Sequence, residues 1–132
     1  TKLIEMKNTF RDMVKYKNEL NATAFIADQS PPPETAYWMT FLHQDTAIFK
    51  GTEKIVRKLD RPVVYVSVKR LTRGYYLLDA ELLPVPEGAA PGEITAIHTK
   101  RLEKDILEQP ETWLWTHRRW KHKKENYIIT PF

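Results

Sequence analysis

Val63-Val64-Tyr65-Val66-Ser67-Val68 is the strongest strand signal in the chain, because β-branched residues fill most of its positions. Its nearly continuous apolar character predicts a strand that is covered on both faces, as in the sheet of an α/β fold. Residues 75–83 form the next predicted strand. Only residues 70–74 separate the two strands, so we expect them to pair antiparallel as a hairpin.

Helical spacing of apolar residues surrounds this hairpin. The pattern predicts helices over residues 2–20, 52–59 and 93–109. Pro110 is expected to begin a last helical turn that carries Trp113, Leu114 and Trp115 inward.

Two shorter apolar runs complete the predicted elements. Residues 23–27 are predicted to form a strand, and residues 37–42 either a strand or a loop wall. The order of helices and strands indicates one α/β domain over residues 1–132, with a mixed sheet flanked by helices.

Composition narrows the class of protein. With 132 residues and 42% hydrophobic content, the chain is long enough to bury a core. It has no Cys, which excludes disulfides and thiolate metal sites, and no run approaches the ~20 apolar residues of a membrane span. We predict no metal and no cofactor. The net charge is +4, and residues 117–124 carry five Lys or Arg without an acid, which favours an anionic partner.

Polar residues follow the predicted strand 23–27 directly. Asp28 and Gln29 would lie at its carboxyl end, where ligands bind in open α/β sheets. If this strand and strand 63–68 are parallel neighbours, Arg70 leaves the sheet at the same edge. An acid and an Arg there would orient a phosphate or sugar ligand. The alternatives are a simple turn before the prolines and a structural ion pair.

Several blocks stand in one order along the chain. They are Ala27-Asp28-Gln29, then Thr46 and Gly51, then Arg61-Pro62-Val63-Val64 with Arg70, and finally residues 110–121, Pro-Glu-Thr-Trp-Leu-Trp-Thr-His-Arg-Arg-Trp-Lys. This arrangement resembles the late acyltransferases of lipid A biosynthesis, the lauroyl/myristoyl group of lysophospholipid acyltransferase-like enzymes. The closing block is the most specific part. The resemblance covers about residues 22–122, with departures at Phe41-Leu42-His43, where Phe-Phe-Gly is usual, and at Tyr65, where a Pro is common.

The resemblance implies an enzyme that moves a fatty acyl chain from acyl carrier protein to a hydroxyl of a lipid A precursor. It would work at the cytoplasmic face of the inner membrane of a Gram-negative bacterium. Asp28, Gln29 and Arg70 would position the acceptor or brace the site, and aromatic residues 37–41 would wall the acyl groove.

The catalytic element of the family is a His followed five positions later by Asp or Glu, upstream of the Asp-Gln block. None of the 27 residues before Asp28 is His. We therefore expect a carboxyl-terminal part of a larger acyltransferase domain, without a catalytic base and inactive alone. His98 and Glu103 have the motif's spacing, but five positions on a helix separate side chains by about 140°, so we expect the pair to diverge.

The basic, aromatic terminus admits three interpretations. Trp and Arg together suit a membrane interface, the same composition suits RNA, and the indoles alone suit a core. We favour a mixture in which Trp113 or Trp115 is buried while Arg118, Arg119 and Lys121 meet lipid phosphate or acidic carrier protein, and we predict no nucleic-acid partner. The alternative function is a non-catalytic basic module that docks on anionic membrane or RNA.

Overall fold

The computed structural model describes residues 2–127. Its regular elements are α1 (Thr9–Lys15), β1 (Tyr37–Phe41), β2 (Gln44–Ile48), α2 (Gly51–Leu59), β3 (Val64–Thr72), β4 (Tyr75–Leu82) and α3 (Glu93–Glu108). Short 3-10 turns occupy Met6–Asn8, Pro33–Thr35, Pro110–Thr112 and Lys124–Asn126. The α/β class, helices α2 and α3 and the turn at Pro110 are confirmed.

Within the described residues the strands form two separate antiparallel hairpins rather than one mixed sheet. In the first hairpin, Trp38 pairs with Ala47, and the tight turn places Leu42 and His43 at positive φ (48° and 62°). In the second, β3 and β4 pair from Val64 opposite Leu82 to the turn. Two strands joined by a short connection pair antiparallel without a crossover, which explains why the β3–β4 hairpin was predictable.

The predicted strand 23–27 is wrong, and so is its parallel pairing with β3. Residues 23–27 are irregular, because an isolated apolar run has no ladder unless another strand offers one. The first helix is also shorter than predicted: α1 covers seven residues, and the chain up to residue 20 is turn-like.

The core gathers on the first hairpin and the inner side of α3. Ala36, Trp38 and Ala47 form a buried cluster, and the ring of Tyr127 stacks on Trp38 at 6.4 Å between centroids. Ile94 and Ile106 of α3 are also buried. Among residues 2–127, no helix combines the length and the apolar character that crossing a bilayer requires.

Glu53 fastens α2 to the start of α3. Its carboxylate accepts hydrogen bonds from the backbone N–H of Gly92 (2.8 Å) and from the backbone N–H and hydroxyl of Thr95 (2.9 and 2.6 Å). Arg57, one turn further along α2, donates to the same carboxylate at 2.9 Å. The first N–H groups of a helix lack partners within the helix, so Glu53 caps α3 from a neighbouring element.

The second hairpin is covered on one face only, so the prediction of a strand buried on both faces is wrong. Tyr65 and Ser67 face α3: the Tyr65 hydroxyl donates to Asp105 at 2.9 Å, and Ser67 is buried. Val64, Val66 and Val68 alternate to the other face and are 53%, 55% and 56% exposed. The β-branched composition therefore predicts the strand but not which of its faces is covered.

The segment after α3 also departs from expectation. Trp113 turns inward as predicted and lies 6.5 Å from the Phe41 ring. Leu114 and Trp115 do not, since both are largely exposed. The Trp115 indole instead folds back on its own turn and donates to the Pro110 carbonyl at 2.6 Å.

Candidate functional site

The loop that contains Asp28 meets the basic block near residue 119. The backbone N–H of Ser30 donates to Nε2 of His117 at 3.3 Å, and the Ser30 hydroxyl lies 3.3 Å from both Nε2 of His117 and the carbonyl oxygen of Arg119. Arg119 closes the junction by donating from Nη2 to the carbonyl oxygen of Asp28, 91 positions earlier. We call Asp28, Ser30, His117 and Arg119 the Asp28–Arg119 junction.

Two aromatic rings hold the guanidinium of Arg119. Its central carbon lies 4.9 Å from the Trp113 ring centroid and 5.7 Å from that of Phe41. The residue is only 6% exposed. Burial lowers the pKa of Arg119, with the charge of Asp28 acting in the opposite sense, but an arginine remains charged at neutral pH.

The donors of this guanidinium are mostly unused. Within residues 2–127 its only hydrogen bond is the one to the Asp28 carbonyl, and it forms no ion pair with a carboxylate. A cation fixed by aromatic faces, with free N–H groups, is suited to bind an anionic oxygen.

The carboxylate of Asp28 has an unused acceptor. Its Oδ1 is buried and has no hydrogen-bond partner among the described residues. Its negative charge acts on Tyr65 of β3, on His98 of α3 and on Arg119 of the closing segment. An unsatisfied buried carboxylate oxygen is costly unless a donor from outside the chain completes it.

His98 and Glu103 diverge, as the helical rotation predicts. His98 packs its ring 6.3 Å from that of Tyr65, and burial lowers the pKa of this imidazole, which keeps it neutral at pH 7. Glu103 points to the first hairpin and accepts from the backbone N–H of Leu42 at 2.6 Å. The two side chains serve different contacts, so neither can act on the other.

Arg70 is not the partner of Asp28. Its backbone N–H and carbonyl both bond to the side-chain amide of Gln109, each at 3.0 Å, at the far end of α3. Its side chain is exposed, and in the described part of the chain nothing joins it to Asp28. The expected common sheet edge does not exist, because β3 pairs antiparallel with β4 and residues 23–27 join no sheet.

Comparison with known proteins decides the family. The sequence profile of the bacterial lipid A biosynthesis acyltransferase family matches residues 1–122. The chain belongs to this family. The match includes both halves of the Asp28–Arg119 junction, so the contact is made between segments that this acyltransferase family contains. Neither the curated proteins nor the solved structures yield a match.

Three other residues predicted for the acyltransferase site lie on the two segments that form this junction. Gln29, Arg118 and Lys121 are all exposed there. Their role in substrate binding stays a prediction. Of the aromatic residues 37–41, Trp38 and Phe41 are buried, and the role of this stretch as the wall of an acyl groove stays a prediction.

Sequence reasoning missed Ser30, His117 and the aromatic clamp formed by Phe41 and Trp113. The available signal was the closing block itself, where His117 stands two positions before Arg119. Among residues 2–127, no three His, Asp or Glu side chains cluster as a metal site would require.

Proposed function

We propose that this chain supplies the acceptor-binding part of an acyltransferase that moves a fatty acyl group from acyl carrier protein to a hydroxyl of a lipid A precursor. Membership of the lipid A acyltransferase family supports the reaction type. The observation that carries the site is the junction between Asp28 and Arg119, where a carboxylate oxygen and a set of guanidinium donors both lack partners among residues 2–127.

The two unused groups match the chemistry of a phosphorylated sugar. Arg119 would donate to a phosphate oxygen, with a geometry fixed by Phe41 and Trp113. Asp28 would accept from a sugar hydroxyl, which would satisfy its buried Oδ1. Binding at both points would orient the acceptor head group, and orientation is a large part of catalysis between two substrates.

Acyl transfer also needs a base for the acceptor hydroxyl and a site for the thioester oxyanion. The resemblance assigns the base to a His that precedes the Asp-Gln block, and residues 1–27 contain no His. His98 packs against the ring of Tyr65 and does not replace this base. We propose that the 132-residue chain is inactive alone.

Donor, membrane and location follow from the same proposal. The exposed Arg118 and Lys121 lie beside the junction, where they would meet the acidic surface of acyl carrier protein or lipid phosphates. The reaction would take place at the cytoplasmic face of the bacterial inner membrane, where both substrates are accessible.

Titration calorimetry with a glucosamine phosphate tests the site. We expect the 132-residue chain to bind it, and Arg119→Gln to weaken binding by about 10- to 100-fold, the usual value of a charged hydrogen bond. Asp28→Asn should weaken it less, since the amide keeps one acceptor. Arg70→Gln is the matched control and should leave affinity unchanged.

Because Arg119 is buried, its variants also need circular dichroism, and Arg119→Lys, which keeps the charge, should retain part of the affinity. Folded Arg119→Gln that binds like wild type would refute the role of the junction. Turnover of an acyl carrier protein thioester by the isolated chain would refute the proposed inactivity.

The contacts of the tryptophan side chains give less support to the alternative function, a basic module that docks on RNA. Trp113 contacts Arg119, and Trp120 donates from its indole to the hydroxyl of Thr46 at 2.8 Å. The guanidinium of Arg119 therefore occupies a face of Trp113, whereas base stacking needs free faces.

A further inference from the structure

Ser30 fastens a loop that has few other polar contacts. Within residues 2–127, residues 22–31 form no backbone–backbone hydrogen bond. Beyond Ser30, the prolines at 31–33 have no N–H group to donate. The hydrogen bonds of the Asp28–Arg119 junction are therefore the polar contacts that hold this part of the backbone, and Ser30 supplies two of their donors.

The prolines make this anchor effective. A residue before proline is restricted to an extended backbone, and a run of prolines is stiff. Pro31 and Pro33 are also buried. Because the chain is fixed on that side, the position of Ser30 determines the position of Asp28, two residues earlier.

The backbone of Ser30 selects one tautomer of His117. Its N–H group lies 3.3 Å from Nε2 of the imidazole. A backbone N–H only donates, so Nε2 must present a lone pair, and the proton of the neutral ring is on Nδ1. A proton on Nε2 would face the Ser30 N–H and leave this donor without an acceptor, which is unfavourable in a partly buried contact.

The hydroxyl of Ser30 then has one remaining partner. Its oxygen lies 3.3 Å from both Nε2 of His117 and the carbonyl oxygen of Arg119. The lone pair of Nε2 already accepts from the backbone N–H, so the hydroxyl donates to the Arg119 carbonyl. Both donors of Ser30 thus bind the closing segment, at positions 117 and 119.

The return contact comes from Arg119, whose guanidinium donates to the carbonyl oxygen of Asp28. The two groups proposed to bind the acceptor are the Asp28 carboxylate and this guanidinium. Each belongs to a residue two positions from the contact between Ser30 and His117. This contact therefore sets the register of the two segments, and the register sets where both binding groups lie.

We propose that His117, as the tautomer with its proton on Nδ1, is a positioning residue of the acceptor site: its Nε2 lone pair holds Ser30, and through Ser30 it keeps Asp28 beside Arg119. The inference rests on the proposed function, since it concerns the same site. His117 transfers no proton and touches no substrate in this role. It raises the fraction of molecules in which the site is assembled, and the apparent affinity is proportional to this fraction.

Two amide variants separate a positioning role from a general loss of the ring. The side-chain oxygen of glutamine reaches the place of Nε2, whereas that of asparagine reaches only the place of Nδ1. In titration calorimetry with the glucosamine phosphate, we expect His117→Asn to weaken binding about 3- to 10-fold, the value of one uncharged hydrogen bond. His117→Gln should stay within about twofold of wild type. His43→Asn, at an exposed histidine in the turn of the first hairpin, is the matched control and should bind like wild type.

Two measurements without ligand report on the contact itself. Nitrogen-15 NMR of the imidazole should show His117 protonated on Nδ1 and unprotonated on Nε2. Hydrogen exchange of the Ser30 amide should be about 3- to 10-fold slower in wild type and in His117→Gln than in His117→Asn. Circular dichroism checks that the variants are folded, and if His117→Asn does not fold, the wild-type tautomer and the exchange in His117→Gln decide.

Three results would overturn the proposal. One is a neutral His117 ring with its proton on Nε2, because the Ser30 N–H would then have no acceptor. Another is a folded His117→Asn with wild-type affinity and wild-type exchange at Ser30. The third is a His117→Gln variant that is as impaired as His117→Asn. If the wild-type chain does not bind glucosamine phosphate, the proposed acceptor site fails, while the tautomer and the Ser30 exchange still decide whether His117 holds the loop.

Discussion

Removing the Glu53 carboxylate should separate α2 from the start of α3. Glu53 is 1% exposed and accepts from Gly92, Thr95 and Arg57. Glu53→Ala leaves the two backbone N–H groups and the Thr95 hydroxyl without an acceptor. Each buried unsatisfied donor costs about 1–3 kcal/mol, and water that enters the space offsets part of this, so we expect a loss of roughly 3–5 kcal/mol in the free energy of unfolding.

Glu53→Gln is the milder change. The amide keeps one carbonyl oxygen, but its NH₂ group faces donors, and the charge that pairs with Arg57 is lost. We expect a loss of about 2–3 kcal/mol. This variant supplies the measurement if Glu53→Ala does not fold.

The pKa of Glu53 gives the pH dependence its sign. Burial alone would raise this pKa, but hydrogen bonds from Thr95, Arg57 and Gly92 outweigh burial and hold it below its ordinary range. A carboxylate with a depressed folded-state pKa stabilises fully above its unfolded-state pKa, and loses this effect as pH falls through the folded value. The difference between wild type and Glu53→Gln should therefore be constant near neutral pH and shrink in acid.

Urea unfolding followed by circular dichroism, from pH 7 to about pH 3, measures both quantities. Glu81→Gln is the control, because Glu81 also pairs with an arginine, Arg101, but is exposed, and such pairs contribute less than about 1 kcal/mol. Glu53→Ala within 1 kcal/mol of wild type would refute the capping argument. A gap between wild type and Glu53→Gln that widens in acid would refute the charge argument.

Two further predictions test local contacts. At Gly92 (φ 91°) an added Cβ would lie 2.6 Å from the Tyr37 ring, so Gly92→Ala should lower the free energy of unfolding in urea by about 2–4 kcal/mol. Gly88 is also at positive φ (69°) but has open space around it, so Gly88→Ala should lower it by only about 1 kcal/mol. Equal losses in the two variants would contradict the clash with Tyr37. Burial, reinforced by the hydrogen bond to Asp105, raises the pKa of Tyr65 well above its ordinary range, so the last phenolate absorbance to appear on titration with base should vanish in Tyr65→Phe. Its survival in that variant would show that another tyrosine is the protected one.

Local signals sufficed for the elements that close on themselves. The β3–β4 hairpin needs only two strand-forming runs, β-branched in β3 and rich in Tyr and Leu in β4, and a short connection containing Gly74, and all are visible in the sequence. Helix α3 follows Gly92 and ends before Pro110, which are ordinary boundaries of a helix. Each of these elements satisfies its backbone within itself or with its immediate neighbour.

Elements that need a distant partner were not predictable in this way. The run 23–27 has the composition of a strand, but a strand forms only beside another strand. β3 pairs with β4 along one edge, and residues 23–27 do not join its other edge. The valines of β3 likewise gave no sign that one face would be open, because β-branched residues suit any pleated surface. Composition reports what a segment is able to do, and topology decides which option is realised.

The candidate site likewise depends on distant partners that local sequence patterns do not predict. The expected strand end selected Asp28 and paired it with Arg70, because it assumed parallel strands that share an edge. The partner that the fold provides, Arg119, lies 91 positions away and is placed by contacts of no regular element: Ser30 with His117, and the guanidinium with two aromatic rings. Such a junction has no periodicity to detect. What linked its halves before the fold was known was their common presence in the blocks that resemble one family, so the resemblance carried long-range information that residue patterns lack.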